Sequence, residues 1–377
     1  MDGSRYDVSV ALPADFREHP PWHVERGLAL YHGDALDVLR TFRDESVQCS
    51  MTSPPYYGLR DYGTGTWHGG DPACDHDANA PRDQLQVPPG TDKQASNKGA
   101  NDLVRYHRCV CGAEREDRQV GLEQTPEEYV ARLTEVFREL RRVLRDDGVL
   151  WLNVADSYNS IGGTVGGGKN LEDRKRTLRG RVDGLKHKDL ILVGPMLASS
   201  LQSDGWYLRA QNIWHKPNAM PSSAKDRPGL DYEYVYQLTK SPRYYFDMDA
   251  VKQTAAWERW GRQTVPKHRG SKSAAGHFQE RSKEEVQEMG GKERNLRTVW
   301  SIPTKPYKGA HFAAFPPELV ETCVAASSRE GDVVLDPFVG SGTTAFQCAR
   351  MGRRCVGIDL KEDYLGMTVQ RFGESRP

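Results

Sequence analysis

Apolar residues recur at three- and four-residue spacing through Tyr129, Leu133, Val136, Phe137, Leu140, Val143 and Leu144, which predicts a helix with one buried face. Thr125 is a good N-cap for it, Pro126 suits the first helical position, and Glu128 completes a capping box. Asp146-Asp147-Gly148 is expected to stop it. Apolar runs predict buried strands over 27–32, 149–154, 333–335 and 354–359, with a turn and short strand over 44–51. Residues 206–214 read as a further strand. Residues 232–238 and 244–246 read as a strand pair joined by a Ser241-Pro242 turn. Helices are expected after Asp34 through Arg40, over 191–201, and after Gly342 through Met351. Strands alternating with helices indicate an α/β protein.

Elsewhere the periodicity dissolves. Residues 1–26 read as a polar arm. Residues 57–119 are rich in Gly, Asp, Pro and Asn, and a loop that long inside a domain is functional or disordered. Residues 159–189 are irregular again: five glycines, then a basic run that is either a solvated loop or a mobile one closing over a polyanion. The chain has 377 residues and 37% hydrophobic content, enough for one large α/β domain with insertions or for two domains. Lys+Arg and Asp+Glu both total 52, which excludes a wholly basic surface. Against that neutral total, residues 251–308 carry thirteen Lys+Arg and six acids, with Trp257, Trp260, His268 and His277 interleaved. Such segregation suggests phosphate contact. No apolar run has the length of a membrane span, and the N-terminus lacks a signal-peptide core. Seven cysteines in no regular framework suggest a reducing, cytoplasmic setting.

Cys74, His76, Cys109 and Cys111 form a candidate zinc set within the irregular 57–119 stretch. Four soft or imidazole ligands suit tetrahedral Zn²⁺, which would order a segment with little core of its own. The spacing departs from the usual two intervening residues, His107 could replace His76, and ordinary thiols are the competing reading.

Two loops carry the candidate chemistry. Thr52-Ser53-Pro54-Pro55-Tyr56 follows a strand end, where ligands bind in open α/β sheets. Ser53 and a proline carbonyl can accept hydrogens from a neutral amine, and Tyr56 can stack on a flat ring; a proline-rich turn with a structural tyrosine is the alternative. Far along the chain, Asp336-Pro337-Phe338-Val339-Gly340-Ser341-Gly342-Thr343-Thr344 joins a strand to a helix, and the next strand ends at Asp359. Gly340 and Gly342 would let the backbone approach a ligand, and Asp359 is placed to bind two ribose hydroxyls. No lysine follows the glycines and a third fingerprint glycine is missing. Asp336 repels a pyrophosphate but can pair with a cationic amino-acid group, which favours S-adenosylmethionine. Asp34 is either a helix cap or a carboxylate near the ligand.

These pieces together resemble the amino-methyltransferases of DNA, most closely the N4-cytosine type bearing Ser-Pro-Pro-Tyr. Ser53-Pro54-Pro55-Tyr56 looks like the catalytic motif, Asp336-Pro337-Phe338 through Gly342 like the cofactor loop, with Thr343 beside it in the cofactor-binding set, and Asp359 like the ribose-binding acid. Phe315-Pro316 is similar to the segment near the methionine moiety, and Asp34 matches a position near the adenine ring. The motif order, catalytic before cofactor with a basic region between, resembles the permuted β group. The resemblance implies a Rossmann-like fold with a mostly parallel seven-stranded sheet. The resemblance covers most of the chain outside 57–119 and the basic insert, and the expected division is a first part of the methyltransferase domain with the catalytic loop at 1–58, an insert at 59–119 that carries the candidate zinc set, core at 120–216 with a mobile basic loop at 159–190, a target-recognition region at 217–298 and a cofactor-binding part at 299–377. It implies base flipping and direct methyl transfer on double-stranded DNA, without a covalent intermediate; consistently, no Pro-Cys dipeptide occurs. Double-stranded DNA is the expected partner, and a cognate restriction endonuclease is a candidate one. An N6-adenine enzyme and an inactive DNA-binding regulator are the rival readings.

Overall fold

The computed structural model describes residues 19–58, 62, 64–76, 109–159, 182, 184–222, 224–254, 293–305 and 315–375. The 1–18 part of the arm, most of the 159–189 loop, His107, and residues 255–292 and 306–314 of the basic segment lie outside them, Trp257, Trp260, His268 and His277 included. The strands in chain order are β1 (His23–Glu25), β2 (Leu28–His32), β3 (Val47–Thr52), β4 (Thr66–His68), β5 (Glu114–Glu116), β6 (Leu144–Val154) and β7 (Tyr207–His215). They continue as β8 (Tyr232–Thr239), β9 (Gln253–Thr254), β10 (Glu293–Arg294), β11 (Val299–Ser301), β12 (Val333–Asp336) and β13 (Arg354–Asp359). The helices are α1 (Ala35–Arg40), α2 (Pro126–Val143), α3 (Val193–Ser203), α4 (Pro317–Ser327), α5 (Thr343–Arg350) and α6 (Glu362–Glu374).

Nine strands form one sheet in the order β1-β2-β13-β12-β3-β6-β8-β7-β11. The expected seven are its centre, flanked by the three-residue strands β1 and β11. Pairing is parallel from β2 through β13, β12 and β3 to β6, and again between β7 and β11; β8 is antiparallel to both neighbours. Side chains alternate across the strands. Leu150, Leu152, Tyr31 and Leu335 enter one core with α1, α2 and α3, while Val149, Trp151, Leu30 and Val334 enter the other with α4, α5 and α6. Both faces are therefore covered, which is why these strands read as unbroken apolar runs.

Thr125 caps α2 as expected: its hydroxyl accepts from the Glu128 N–H while the Glu128 carboxylate accepts from the Thr125 N–H. Such a cap contributes about 1 kcal/mol. Two local expectations are corrected. The helix ends at Val143, before Asp146-Asp147-Gly148, because buried Leu144 already pairs with Val47 and the next pairing is Cys49 with Val149. The acidic triplet is thus a bulge at the start of β6. Residues 244–246 form no strand. Tyr244 and Phe246 pack on the second core, and single bonds from the Tyr245 and Asp247 N–H groups reach the Asp147 and Ala326 carbonyls. Their alternation reflects one-sided packing without a ladder.

The helices that follow β3 and β12 lie on opposite faces of the sheet, yet these strands are neighbours, pairing Leu335 with Ser50. That makes a topological switch point, the crevice where open α/β sheets bind ligands. The segment 255–292 leaves and returns through the antiparallel pair β9–β10. Among the described residues no helix is long and apolar enough to cross a membrane.

Candidate active site

A cavity of about 530 Å³ opens at the carboxyl ends of β2, β3, β12 and β13, a size in the usual range for small-ligand sites. Ser53, Pro54, Pro55 and Tyr56 line it together with Asp34, Phe315, Asp336, Phe338, Gly340, Thr343 and Asp359. Two loops nearly three hundred residues apart therefore share one chamber. Thr52 Oγ1 donates to Asp336 Oδ1 at 2.6 Å, tying them directly.

Asp336 is 1% exposed. The Phe338 N–H donates to its Oδ1 and Thr344 Oγ1 to its Oδ2, at 3.1 and 2.7 Å. Burial nonetheless pushes its carboxyl up to about 6, against these hydrogen bonds. Asp359 accepts from the Gly340 and Lys361 N–H groups, each at 2.9 Å, and burial pushes it up to about 6 as well, with Asp336 adding repulsion. Acids held at that threshold favour a ligand that brings positive charge or hydrogen-bond donors. Asp34 caps α1 through the Leu36 and Asp37 N–H groups and also lines the cavity, with Arg132 on its other oxygen at 3.2 Å.

The glycines divide. Gly340 has φ +52 and faces the cavity. Gly342 is buried at the N-cap of α5 with φ +78, where a Cβ would lie 2.8 Å from the Thr368 backbone. The need for glycine there comes from α6. Pro316 is likewise buried, at the N-cap of α4, beside the cavity-lining Phe315.

The Ser-Pro-Pro-Tyr loop is held on both sides. Tyr129 Oη donates to the Pro55 carbonyl at 2.9 Å, so of the two proline carbonyls that of Pro54 is the one outside this contact. Ser53 Oγ donates to Tyr56 Oη at 3.1 Å, and Tyr56 Oη donates to Glu233 Oε2 at 2.7 Å. Asn153 Nδ2 donates to the same carboxylate oxygen at 2.9 Å, and Lys216 pairs with Oε1. Burial, with the Glu233 carboxylate beside it, raises the Tyr56 phenol well above its usual range, so it stays protonated.

Asn153, Glu233 and Lys216 are absent from the sequence expectations. Strand register assembles them: Asn153 pairs with Val235, Glu233 pairs with Trp214, and Lys216 follows His215 at the end of β7. The available signal was an amide inside the apolar run of β6 and an acid between the tyrosines of β8.

Cys74, His76, Cys109 and Cys111 come together away from the sheet, beside the β4–β5 hairpin, with all their donor atoms within 4.8 Å of one another.

A family model described as DNA methylase, of the N6/N4 kind, matches residues 47–370. The chain is 37% identical over 352 residues to the Type II methyltransferase M.Cfr9I of Citrobacter freundii, covering 92% of this chain and 88% of that protein. It is 37% identical over 353 residues to the Type II methyltransferase M.XycI of Xanthomonas campestris pv. cyanopsidis, with the same coverages. The solved PvuII DNA methyltransferase, described as cytosine-N4-specific, aligns with a TM-score of 0.54 at 16% identity over 93% of this chain and 88% of that one, a likeness of fold.

Proposed function

The chain belongs to the N6/N4 DNA methylase family, and from that membership we propose that it transfers a methyl group from S-adenosylmethionine to the exocyclic N4 of a cytosine flipped out of double-stranded DNA. The observation that carries this reading is the single chamber shared by Ser53, Tyr56 and the Asp336–Gly340 loop. A cognate restriction endonuclease is the proposed partner, in keeping with relatives that bear the name Type II methyltransferase.

The residues fit the cofactor. Asp336 lies in the wall to meet the amino-acid cation, Asp359 has backbone-fixed oxygens for the ribose hydroxyls, and the positive φ of Gly340 keeps the chain close to the chamber. Phe338, Phe315 and Asp34 complete the wall. S-adenosylmethionine, when bound, supplies an electrophilic methyl on a sulfonium.

This chain's own residues supply orientation and a proton path. The Ser53 hydrogen points to Tyr56, which leaves the serine lone pairs to accept from an incoming amine. The Pro54 carbonyl offers the second acceptor. Tyr56 is fixed by its hydroxyl, so its ring is pre-oriented to meet a base. Methylation of an amine leaves one proton to lose. Ser53 Oγ takes it and hands its own proton to Tyr56 Oη, which hands its proton to Glu233 Oε2. Neither hydroxyl ionises. The proton ends on Glu233, where Lys216 lies alongside the other oxygen.

The test is transfer of a labelled methyl group to duplex DNA, followed by digestion to nucleosides to read which base carries it. Label on cytosine supports the proposal. Unlabelled DNA with bound cofactor would favour a regulator.

A further inference from the structure

Cys74 and His76 lie in the loop after β4, and Cys109 and Cys111 in the turn before β5. Cys74 Sγ is 3.6 Å from Cys109 Sγ, and Cys111 Sγ is 3.4 Å from His76 Nδ1. Around a tetrahedral zinc with Zn–S near 2.3 Å and Zn–N near 2.0 Å, neighbouring donors sit roughly 3.5–3.8 Å apart. A disulfide would bring two sulfurs to about 2.05 Å, and none of these cysteines is disulfide-bonded. Three thiols and one imidazole form a set that suits zinc, and hard cations poorly.

The backbone is shaped around the donors. The Cys109 N–H donates to the Ala113 carbonyl and the Gly112 N–H to the Cys109 carbonyl, closing a tight turn with Gly112 at φ +90. Gly70, at φ +73, stands where a Cβ would be 2.7 Å from Cys111 Sγ, so its missing side chain makes room for the thiol. Trp67 lies beside the His76 ring, with centroids 5.5 Å apart. Neither β4 nor β5 contributes a residue to the two hydrophobic cores. A hairpin of two three-residue strands is too small to hold itself, so its order needs another source.

The hairpin leads directly to the chamber. Beyond β5, Arg118, Gln119 and Val120 line the cavity. Gln119 Oε1 accepts from the Tyr62 N–H at 2.6 Å, and the Gly121 carbonyl accepts from the Gly58 N–H at 2.8 Å. A Cβ on Gly121, at φ +97, would lie 2.9 Å from the Tyr56 carbonyl oxygen.

We propose that Cys74, His76, Cys109 and Cys111 bind one structural Zn²⁺, and that this ion fixes the β4–β5 hairpin and thereby residues 117–121, the wall against which the Tyr56 loop rests. The ion is remote in role from methyl transfer. It closes a module whose described strands add nothing to either hydrophobic core, and so contributes folding free energy locally.

The test uses the full chain, dialysed without chelator. Elemental analysis is expected to give about one zinc per chain, as a closed four-ligand site requires. The double variant C109S/C111S should lose the metal, and C348S, a buried thiol in α5, should keep it. Cobalt exchanged into the site should show the visible absorption of tetrahedral thiolate coordination. Zinc retained by the double variant, a metal-free wild type, or a Cys74–Cys109 disulfide in the mass spectrum would overturn the site. The bracing role is read by hydrogen exchange after zinc is stripped. Exchange should rise at 114–121 and at 56–58 while α2 is unchanged. Unaltered exchange at 56–58 after metal loss would overturn that half.

Discussion

Tyr56 Oη donates to Glu233 Oε2 at 2.7 Å, joining the loop after β3 to a strand 177 residues further on. Asn153 donates to the same oxygen and Lys216 pairs with the other, so the carboxylate sits at the end of a directed chain that begins at Ser53. Glu233→Gln keeps the shape and an acceptor for Tyr56 but cannot receive a proton. The turnover number should fall by about 10²–10⁴, the range for a lost general base. Cofactor affinity, measured by equilibrium binding, should stay within a small factor. Wild-type turnover in this variant would remove Glu233 from the proton path.

Ser53→Ala deletes the proposed first acceptor for the target amine and leaves the Asp336 network in place, because Thr52 makes that link. Turnover on DNA should drop by about 10², as for one hydrogen-bonding group aimed at developing charge. Cofactor dissociation should be unchanged in calorimetry. Loss of cofactor binding together with activity would mean that Ser53 serves the fold of the loop instead.

Asp336 and Asp359 are both pushed up to about 6 by burial, whereas an unfolded aspartate titrates near 4. Between those pH values the folded chain holds extra protons. The stability these two groups contribute is therefore present below about pH 4, is lost as pH rises toward 6, and is flat above it. A bound ligand offering positive charge to Asp336 and hydroxyl donors to Asp359 favours both charged forms. Cofactor binding near pH 6 should release protons, and affinity should weaken below that pH. Calorimetry in two buffers of different ionisation enthalpy reads the proton count directly; proton uptake would contradict the assigned contacts.

Gly342 and Gly366 should respond oppositely to alanine. At Gly342 the new Cβ would meet the Thr368 backbone at 2.8 Å with φ at +78, whereas at Gly366 nothing lies within 4 Å. Gly342→Ala should cost about 1–3 kcal/mol of unfolding free energy. Gly366→Ala, inside α6, should be neutral or stabilising by about 0.5–1 kcal/mol. Chemical denaturation of both variants checks the pair, and an undisturbed Gly342→Ala would show that α6 gives way there.

The parallel strands and α2 were legible because each buries a long apolar pattern, and Asp336 and Ser53 because they sit where such strands end. What escaped was whatever depends on pairing. Asn153, Glu233 and Lys216 lie on the antiparallel side of the sheet and meet only through the register of β6, β8 and β7. No local spacing encodes that register. The strands β1 and β11 have three residues each, too few to display a period. Residues 244–246 alternate like a strand because two aromatic rings pack on one core, and alternation alone cannot distinguish that from a ladder. The Cys and His residues announced a cluster, whereas its connection to the Tyr56 loop through Gly121 required the folded chain.

The central claim, that the amine presented to Ser53 and Tyr56 is the N4 of cytosine, is tested most directly by mass spectrometry of nucleosides. Unmethylated duplex DNA is incubated with the purified chain and S-adenosylmethionine, then digested completely. N4-methyl-2′-deoxycytidine should appear with the wild type and form about 10² more slowly with Ser53→Ala. N6-methyladenine in its place would contradict the account.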